Sequence, residues 1–170
     1  CRHKIFNGKF IINDIEKRAM QIAMNTSEKF NMVGLLAVEL FLTKEDKILI
    51  NEVAPRPHNS GHHTIECCMT SQFDQHIRSV LDLPLGETEI LIPGVMVNLV
   101  GENKVEGNVI YKNLNDIFDI PGVFIHIYGK KKSRLNRKMG HITIVNRDIE
   151  KAIEIGKKIK KEIKVISWTK

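Results

Sequence analysis

The sequence predicts an α+β protein in two consecutive parts, residues 1–86 and residues 87–170. Three observations predict it. Apolar residues recur at helical spacing in three stretches, short alternating runs lie between them, and the texture changes after LDLPLGETE (81–89) from helices and a hairpin to short strands. The second part reads as mostly β with a terminal helix. No internal repeat or low-complexity tract interrupts either part.

Residues 5–12, IFNGKFII, read as a short strand or extended entry, with Asn7-Gly8 as a turn signal. Asn13 or Asp14 caps a helix to about Phe30, carried by Ile15, Ala19, Ile22, Ala23 and Phe30, and the stretch from Asn31 to Gly34 breaks it. Two apolar runs, Leu35–Leu42 and Ile48–Val53, flank Lys44-Glu45-Asp46-Lys47 and predict a hairpin with a four-residue loop. A loop rich in proline and histidine, APRPHNSGHH, follows. A second helix starts near Ser71, with Ser71 and Asp74 as a capping box and Phe73, Ile77, Val80 and Leu81 on one face. Strands are expected at 95–101, 123–130 and 141–146. Asp148 caps a last helix to about Ile163, with Ile149, Ala152, Ile153, Gly156 and Ile159 inward, and VISW forms a closing strand.

Composition excludes several classes. Hydrophobic residues at 42% and charged residues at 27% suit a globular chain and argue against disorder. No run approaches the roughly 18 apolar residues of a membrane-spanning helix. The chain opens on Cys1 without an initiator Met or a signal-peptide pattern and reads as a piece of a longer protein. Cys1, Cys67 and Cys68 form no C-x-x-C pair, which favours a reducing, cytoplasmic setting over a disulfide framework or a zinc site. The net charge of +6 is uneven: residues 129–170 hold 14 Lys+Arg against 4 Asp+Glu, which points to a local anionic partner or a solvated face.

The hairpin carries the sharpest chemistry. If Thr43 pairs with Ile48, opposed positions sum to 91 and Glu39 falls opposite Glu52. Like charges so placed destabilise a sheet by about 0.2–1 kcal/mol. A divalent cation, Mg2+ or Mn2+, would offset that repulsion and bridge nucleotide phosphates. The competing readings are that both glutamates reach solvent or pair with Lys4 or Lys9. A one-residue register shift would separate the two side chains.

After Glu52 the chain reads VAPRPHNSGHH. Prolines fix the backbone around Arg56, whose planar fork suits carboxylate or phosphate oxygens, and His58 can donate, accept or carry a proton. These groups describe a site for a small anion beside a metal. A zinc set of His58, His62, His63 and Glu66, or a purely structural loop, are the alternatives.

The run INEVAPRPHNSGHHTIE, with GLLAVELFL before it and TSQFDQHIRSVLDLPLG after it, closely resembles the 5-(carboxyamino)imidazole ribonucleotide synthase family. HIYGKKKSRLNRKMGHI is similar to the family's second signature. The likeness implies the carboxy-terminal lobe of an ATP-grasp domain over 1–86, followed by the small carboxy-terminal domain. It implies ATP and Mg2+ (or Mn2+) as cofactors, and bicarbonate and 5-aminoimidazole ribonucleotide as substrates. The implied products are the carbamate, ADP and phosphate.

By the same likeness Glu39 and Glu52 hold the metal, Asn51, Glu52, Asn59 and Ser60 bind the nucleotide, and Arg56 and His58 are the catalytic pair facing bicarbonate or carboxyphosphate, with Asn59 and Ser60 beside them. Lys130 and Arg137 are selected from six cations in 130–138 as contacts to the ribonucleotide phosphate, with Lys131 and Lys132 as a solvated rim. The resemblance also implies a homodimer, no nucleic acid and no membrane, and a chain inactive without the rest of the enzyme. Two positions depart from the family pattern: Ile127 stands where Trp is usual, and Asn136 where Gly is common. The other readings are an ATP-grasp ligase with a different acceptor, and a basic nucleic-acid-binding module on 129–164, for which Tyr128 and Trp168 supply few aromatic platforms.

Overall fold

The structure, a computed structural model, describes residues 14–168. The strand expected at 5–12, the Asn13 cap, Lys4 and Lys9 lie outside the described residues. The chain divides into two compact units that part between Ile90 and Leu91.

In the first unit, α1 (Asp14–Lys29) turns Ile15, Ala19, Ile22, Ala23 and Thr26 inward at helical spacing. Phe30, expected on that stripe, lies past the helix end and is exposed. Asn31 (φ 46°) ends the helix in the left-handed region that asparagine tolerates.

The antiparallel strands β1 (Ala37–Leu42) and β2 (Ile48–Ala54) form the expected hairpin. Its tip differs from the four-residue loop expected. Thr43 N–H donates to Lys47 O at 2.9 Å, Asp46 N–H donates to Thr43 O at 3.3 Å, and Asp46 has φ 55°. A left-handed Asp46 after a tight turn closes the hairpin on three residues, Lys44 to Asp46, and pairs Leu42 rather than Thr43 with Ile48.

A 3-10 turn at Asn59–Gly61 and α2 (Thr64–Cys67) follow, neither of them expected from the sequence. α3 (Gln72–Val80) starts where predicted, with Ser71 Oγ accepting from Asp74 N–H at 3.2 Å. Its apolar residues Phe73, Ile77 and Val80, and Leu81 just past its end, are all exposed. The face of α3 turned into the unit is polar: His76 Nδ1 accepts from Leu35 N–H and Ser79 Oγ from Gly34 N–H, each at 3.0 Å, and Gln72 is 7% exposed. Residues after α3 return along this unit, where Met69 N–H donates to Glu89 O.

The second unit contains β3 (Gly94–Val100), β4 (Gly107–Lys112), β5 (Val123–Ile127), β6 (Lys132–Ser133), β7 (Lys138–Val145), α4 (Ile149–Glu162) and β8 (Lys164–Trp168). Two antiparallel sheets form, in the orders β3-β7-β5 and β6-β4-β8. β4 and β6 were not expected. The expected strand at 123–130 stops at Ile127 because Gly129 turns at φ 68°, and the one expected at 141–146 starts three residues early.

β7 is central and buried on both faces, so Met139, Ile142 and Ile144 pack with Val97, Leu99, Ile159 and Val165 in the core. Each such fully buried side chain contributes about 1.5–3 kcal/mol by leaving water. α4 is capped by Asp148, whose Oδ1 accepts from Glu150 N–H at 3.1 Å, and buries Ala152, Gly156 and Ile159 as its period predicts.

Candidate active site

The hairpin ladder changes register between Glu39 and Leu40. From the tip inward, Leu42, Phe41 and Leu40 face Ile48, Leu49 and Ile50, and beyond the shift Glu39 faces Glu52 and Val38 faces Val53. Asn51 is the residue left over, a β-bulge that carries Glu52 onto the face of Glu39. Glu39 is half-buried, Glu52 and Asn51 are exposed, and Asn51 Nδ2 donates to Glu39 Oε2 at 3.4 Å.

The loop after β2 returns to this pair. His58 Nε2 lies 3.7 Å from Glu39 Oε1, while its Nδ1 meets Ser60 Oγ at 2.9 Å. The same Nδ1 accepts from Ser60 N–H at 3.4 Å and caps the turn that opens on Asn59. Arg56 stands exposed between the prolines, its Nη1 donating to Pro57 O at 3.0 Å. Glu39, Asn51, Glu52, His58 and Ser60 are therefore joined through direct contacts or ladder pairing, and Arg56 and Asn59 flank them in the chain. The sequence reading missed Gln72, which accepts from His58 N–H at 2.9 Å and donates to His58 O at 2.8 Å.

Two facing carboxylates suit Mg2+ or Mn2+ held jointly with nucleotide phosphates, since magnesium is usually bound by one or two carboxylates plus substrate oxygens. A self-sufficient cage is not what they form: among the described residues no three His, Cys, Asp or Glu side chains are grouped for a metal. The histidines suggested for zinc have separate partners. His62 Nδ1 sits 2.7 Å from the Gln72 amide nitrogen, and His63 Nδ1 lies 2.9 Å from Ser60 O.

In the second unit the basic segment leaves β5 at Ile127 and re-enters at β7. Lys130 Nζ donates to Lys138 O at 2.6 Å and lies 5.5 Å from the centroid of the Tyr128 ring. Arg137 Nη1 donates to Lys132 O at 3.1 Å. Both cations are thereby tied to strand carbonyls that bracket the segment, Lys132 O in β6 and Lys138 O at the start of β7. Asn136, where glycine was noted as common, adopts φ 61°.

Gly101, at the end of β3, docks this loop: its N–H donates to Arg137 O at 2.9 Å and its O accepts from Asn136 N–H at 2.8 Å. A Cβ there would come within 2.1 Å of Arg134 O. Tyr128 OH is 3.0 Å from His141 Nδ1, and His141 stacks on His126 with centroids 4.4 Å apart, while Ile127 points elsewhere and is 42% exposed.

Residues 3–73 match the ATP-grasp domain and residues 94–155 match the phosphoribosylaminoimidazole carboxylase C-terminal domain. The class is thus that of ATP-grasp proteins. The chain is 44% identical over 140 residues to N5-carboxyaminoimidazole ribonucleotide synthase of Bacillus subtilis, covering 82% of this chain and 35% of that protein. The crystal structure of N5-carboxyaminoimidazole ribonucleotide synthetase from Thermotoga maritima superposes with a TM-score of 0.82 at 50% identity, over 95% of this chain and 45% of that one. A third relative, N5-carboxyaminoimidazole synthase from Aspergillus clavatus, was solved in complex with ADP and 5-aminoimidazole ribonucleotide; it gives a TM-score of 0.72 at 33% identity, over 88% of this chain and 42% of that one. The chain belongs to the N5-carboxyaminoimidazole ribonucleotide synthase family and spans about a third of the length of its curated Bacillus relative. Among the described residues no helix is long and apolar enough to cross a membrane.

Proposed function

We propose that the protein carrying these residues is an ATP-dependent carboxylating ligase of purine biosynthesis. ATP transfers its γ-phosphoryl group to bicarbonate, giving ADP and carboxyphosphate. The exocyclic amine of 5-aminoimidazole ribonucleotide then takes the carboxyl group, and phosphate leaves. The observation that carries this reading is the Glu39–Glu52 pair with His58 against Glu39, inside the stretch matched to the ATP-grasp domain.

Glu39 and Glu52 would hold magnesium or manganese, which when bound neutralises charge on the ATP phosphates. Asn51, with Asn59 and Ser60, lines the nucleotide side. The Arg56 fork and the His58 ring orient bicarbonate and its phosphorylated form, work of positioning and electrostatics rather than covalent catalysis. Lys130 and Arg137 take the ribonucleotide phosphate. In this division residues 1–86 supply the ATP-grasp lobe and 87–170 the phosphate contacts. A cytoplasmic homodimer completes the reading.

The test is phosphate release by the full-length protein with ATP, Mg2+ and bicarbonate, with and without 5-aminoimidazole ribonucleotide. Release that requires the ribonucleotide is expected. Release indifferent to it, or dependent on another amine acceptor, would replace this substrate assignment.

A further inference from the structure

Gln72 is a polar side chain buried to 7% exposure in the first turn of α3, and its amide makes hydrogen bonds to His58 N–H, His58 O and His62 Nδ1, all in the histidine loop. Its Oε1 accepts from His58 N–H at 2.9 Å. Its Nε2 donates to His58 O at 2.8 Å and meets His62 Nδ1 at 2.7 Å. A backbone N–H can only donate and a carbonyl can only accept, so His58 fixes which end of the amide is oxygen. Both Nε2 hydrogens are then committed, one to His58 O and one to His62. His62 Nδ1 must accept, and its ring hydrogen sits on Nε2.

The surroundings are built around this amide. Gln72 N–H donates to Thr64 Oγ1 at 2.9 Å, and that hydroxyl donates to Gly61 O at 2.6 Å. A Cβ on Gly61 would fall 2.6 Å from Gln72 Oε1, so a side chain there would have to displace the amide from this position. His62 also stacks on Phe73, the next residue of α3, with centroids 5.3 Å apart. Gln72 grips the main chain of His58 and leaves its ring to Ser60 and Glu39.

We propose that Gln72 is a positioning residue: its amide sets the placement of His58 against Glu39 and holds His62 as the Nε2–H tautomer. The catalytic half of this inference rests on the reading that His58 orients bicarbonate; the tautomer half rests on geometry alone. The two are tested together in the full-length protein with Gln72→Leu and Gln72→Glu. Long-range 1H–15N NMR should show His62 as Nε2–H in the parent. It should show Nδ1–H in Gln72→Glu, where a carboxylate oxygen replaces the donor.

Per folded molecule, Gln72→Leu should lower kcat about 10–100-fold, the order expected for a misplaced positioning group, while KM for ATP moves less than about twofold. His62 found as Nδ1–H in the parent overturns the assignment, as does unchanged turnover per folded molecule in Gln72→Leu. A parent without ribonucleotide-dependent turnover sinks the functional reading instead, and the tautomer of His62 still decides for or against Gln72 as the group that sets it.

Discussion

Glu39 lies opposite Glu52 only because Asn51 is bulged out of the ladder between them. Continued from the tip without a bulge, the register would set Glu39 against Asn51 and Glu52 against Val38. The two carboxylates would then point to opposite faces. The bulge converts a hairpin of ordinary register into a platform with two like charges on one side, and the hydrogen bond from Asn51 to Glu39 steadies the arrangement.

Replacing either glutamate by glutamine should therefore act on metal use before it acts on folding. Glu52→Gln and Glu39→Gln are each expected to raise the Mg2+ concentration for half-maximal turnover and to lower turnover by about 100-fold or more, several kcal/mol of lost charge stabilisation. Glu45→Gln, at the exposed hairpin tip, should change neither. Metal titrations of the three variants check this, and a Glu52→Gln enzyme with parental Mg2+ dependence would remove the metal role of the pair.

Gly101 should be intolerant of any side chain for a reason local to the basic loop. Its missing Cβ faces Arg134 O at 2.1 Å, a backbone atom that cannot swing aside. Gly101→Ala is expected to cost about 1–3 kcal/mol in chemical denaturation, the usual range for overpacking. It should also raise KM for the ribonucleotide several-fold while KM for ATP holds, because Asn136 and Arg137 hang on Gly101.

The contrast between Glu52 and Gly101 shows what the sequence made legible. Paired apolar runs around a polar turn announced the hairpin, and hydrophobic period announced α1 and α4. The facing glutamates were read correctly from a register that is wrong at the tip: the assumed Thr43–Ile48 pair does not form, and the bulge at Asn51 restores the alignment at Glu52, four residues on from Ile48. Neither a left-handed Asp46 nor a bulge leaves a signature in hydrophobic pattern. β4 was missed although Val109 and Tyr111 alternate with exposed neighbours, because it opens on Gly107-Asn108, which reads as a turn, and leaves only Val109, Ile110 and Tyr111 as an apolar run. Gln72 and Gly101 carry no motif chemistry; only tertiary contact, an amide reaching a loop 14 residues back and a backbone closing on another, gives them their roles.

Alkaline pH should weaken the first unit through Cys67. Its thiol is pushed up to about 12, first by burial and then by the neighbouring Cys68 and Glu66. The folded state holds this proton more tightly than the unfolded chain, so the contribution is full below the ordinary thiol value of 9.0 and is lost as pH rises toward 12. Denaturation midpoints followed across that window should fall more steeply for the parent than for Cys67→Ala. Equal slopes would show that the thiol stays protonated in both states or ionises without consequence.

The six cations between Lys130 and Lys138 should divide sharply in their effect on substrate. Lys130 and Arg137 are each tied to a backbone carbonyl, which pre-orders a long side chain and lowers the entropy lost on gripping a phosphate. Lys132 faces Glu106 at 3.9 Å on an exposed surface, a contact worth little in water. Lys130→Ala and Arg137→Ala are expected to raise KM for the ribonucleotide by about 10–100-fold, in keeping with a lost charge-assisted hydrogen bond of roughly 1.5–3 kcal/mol. Lys131→Ala and Lys132→Ala should stay within about twofold. Net charge near the site changes equally in all four variants, so a uniform effect would mean that the segment attracts the ribonucleotide by its summed field, and the assignment of Lys130 and Arg137 as its particular contacts would fall.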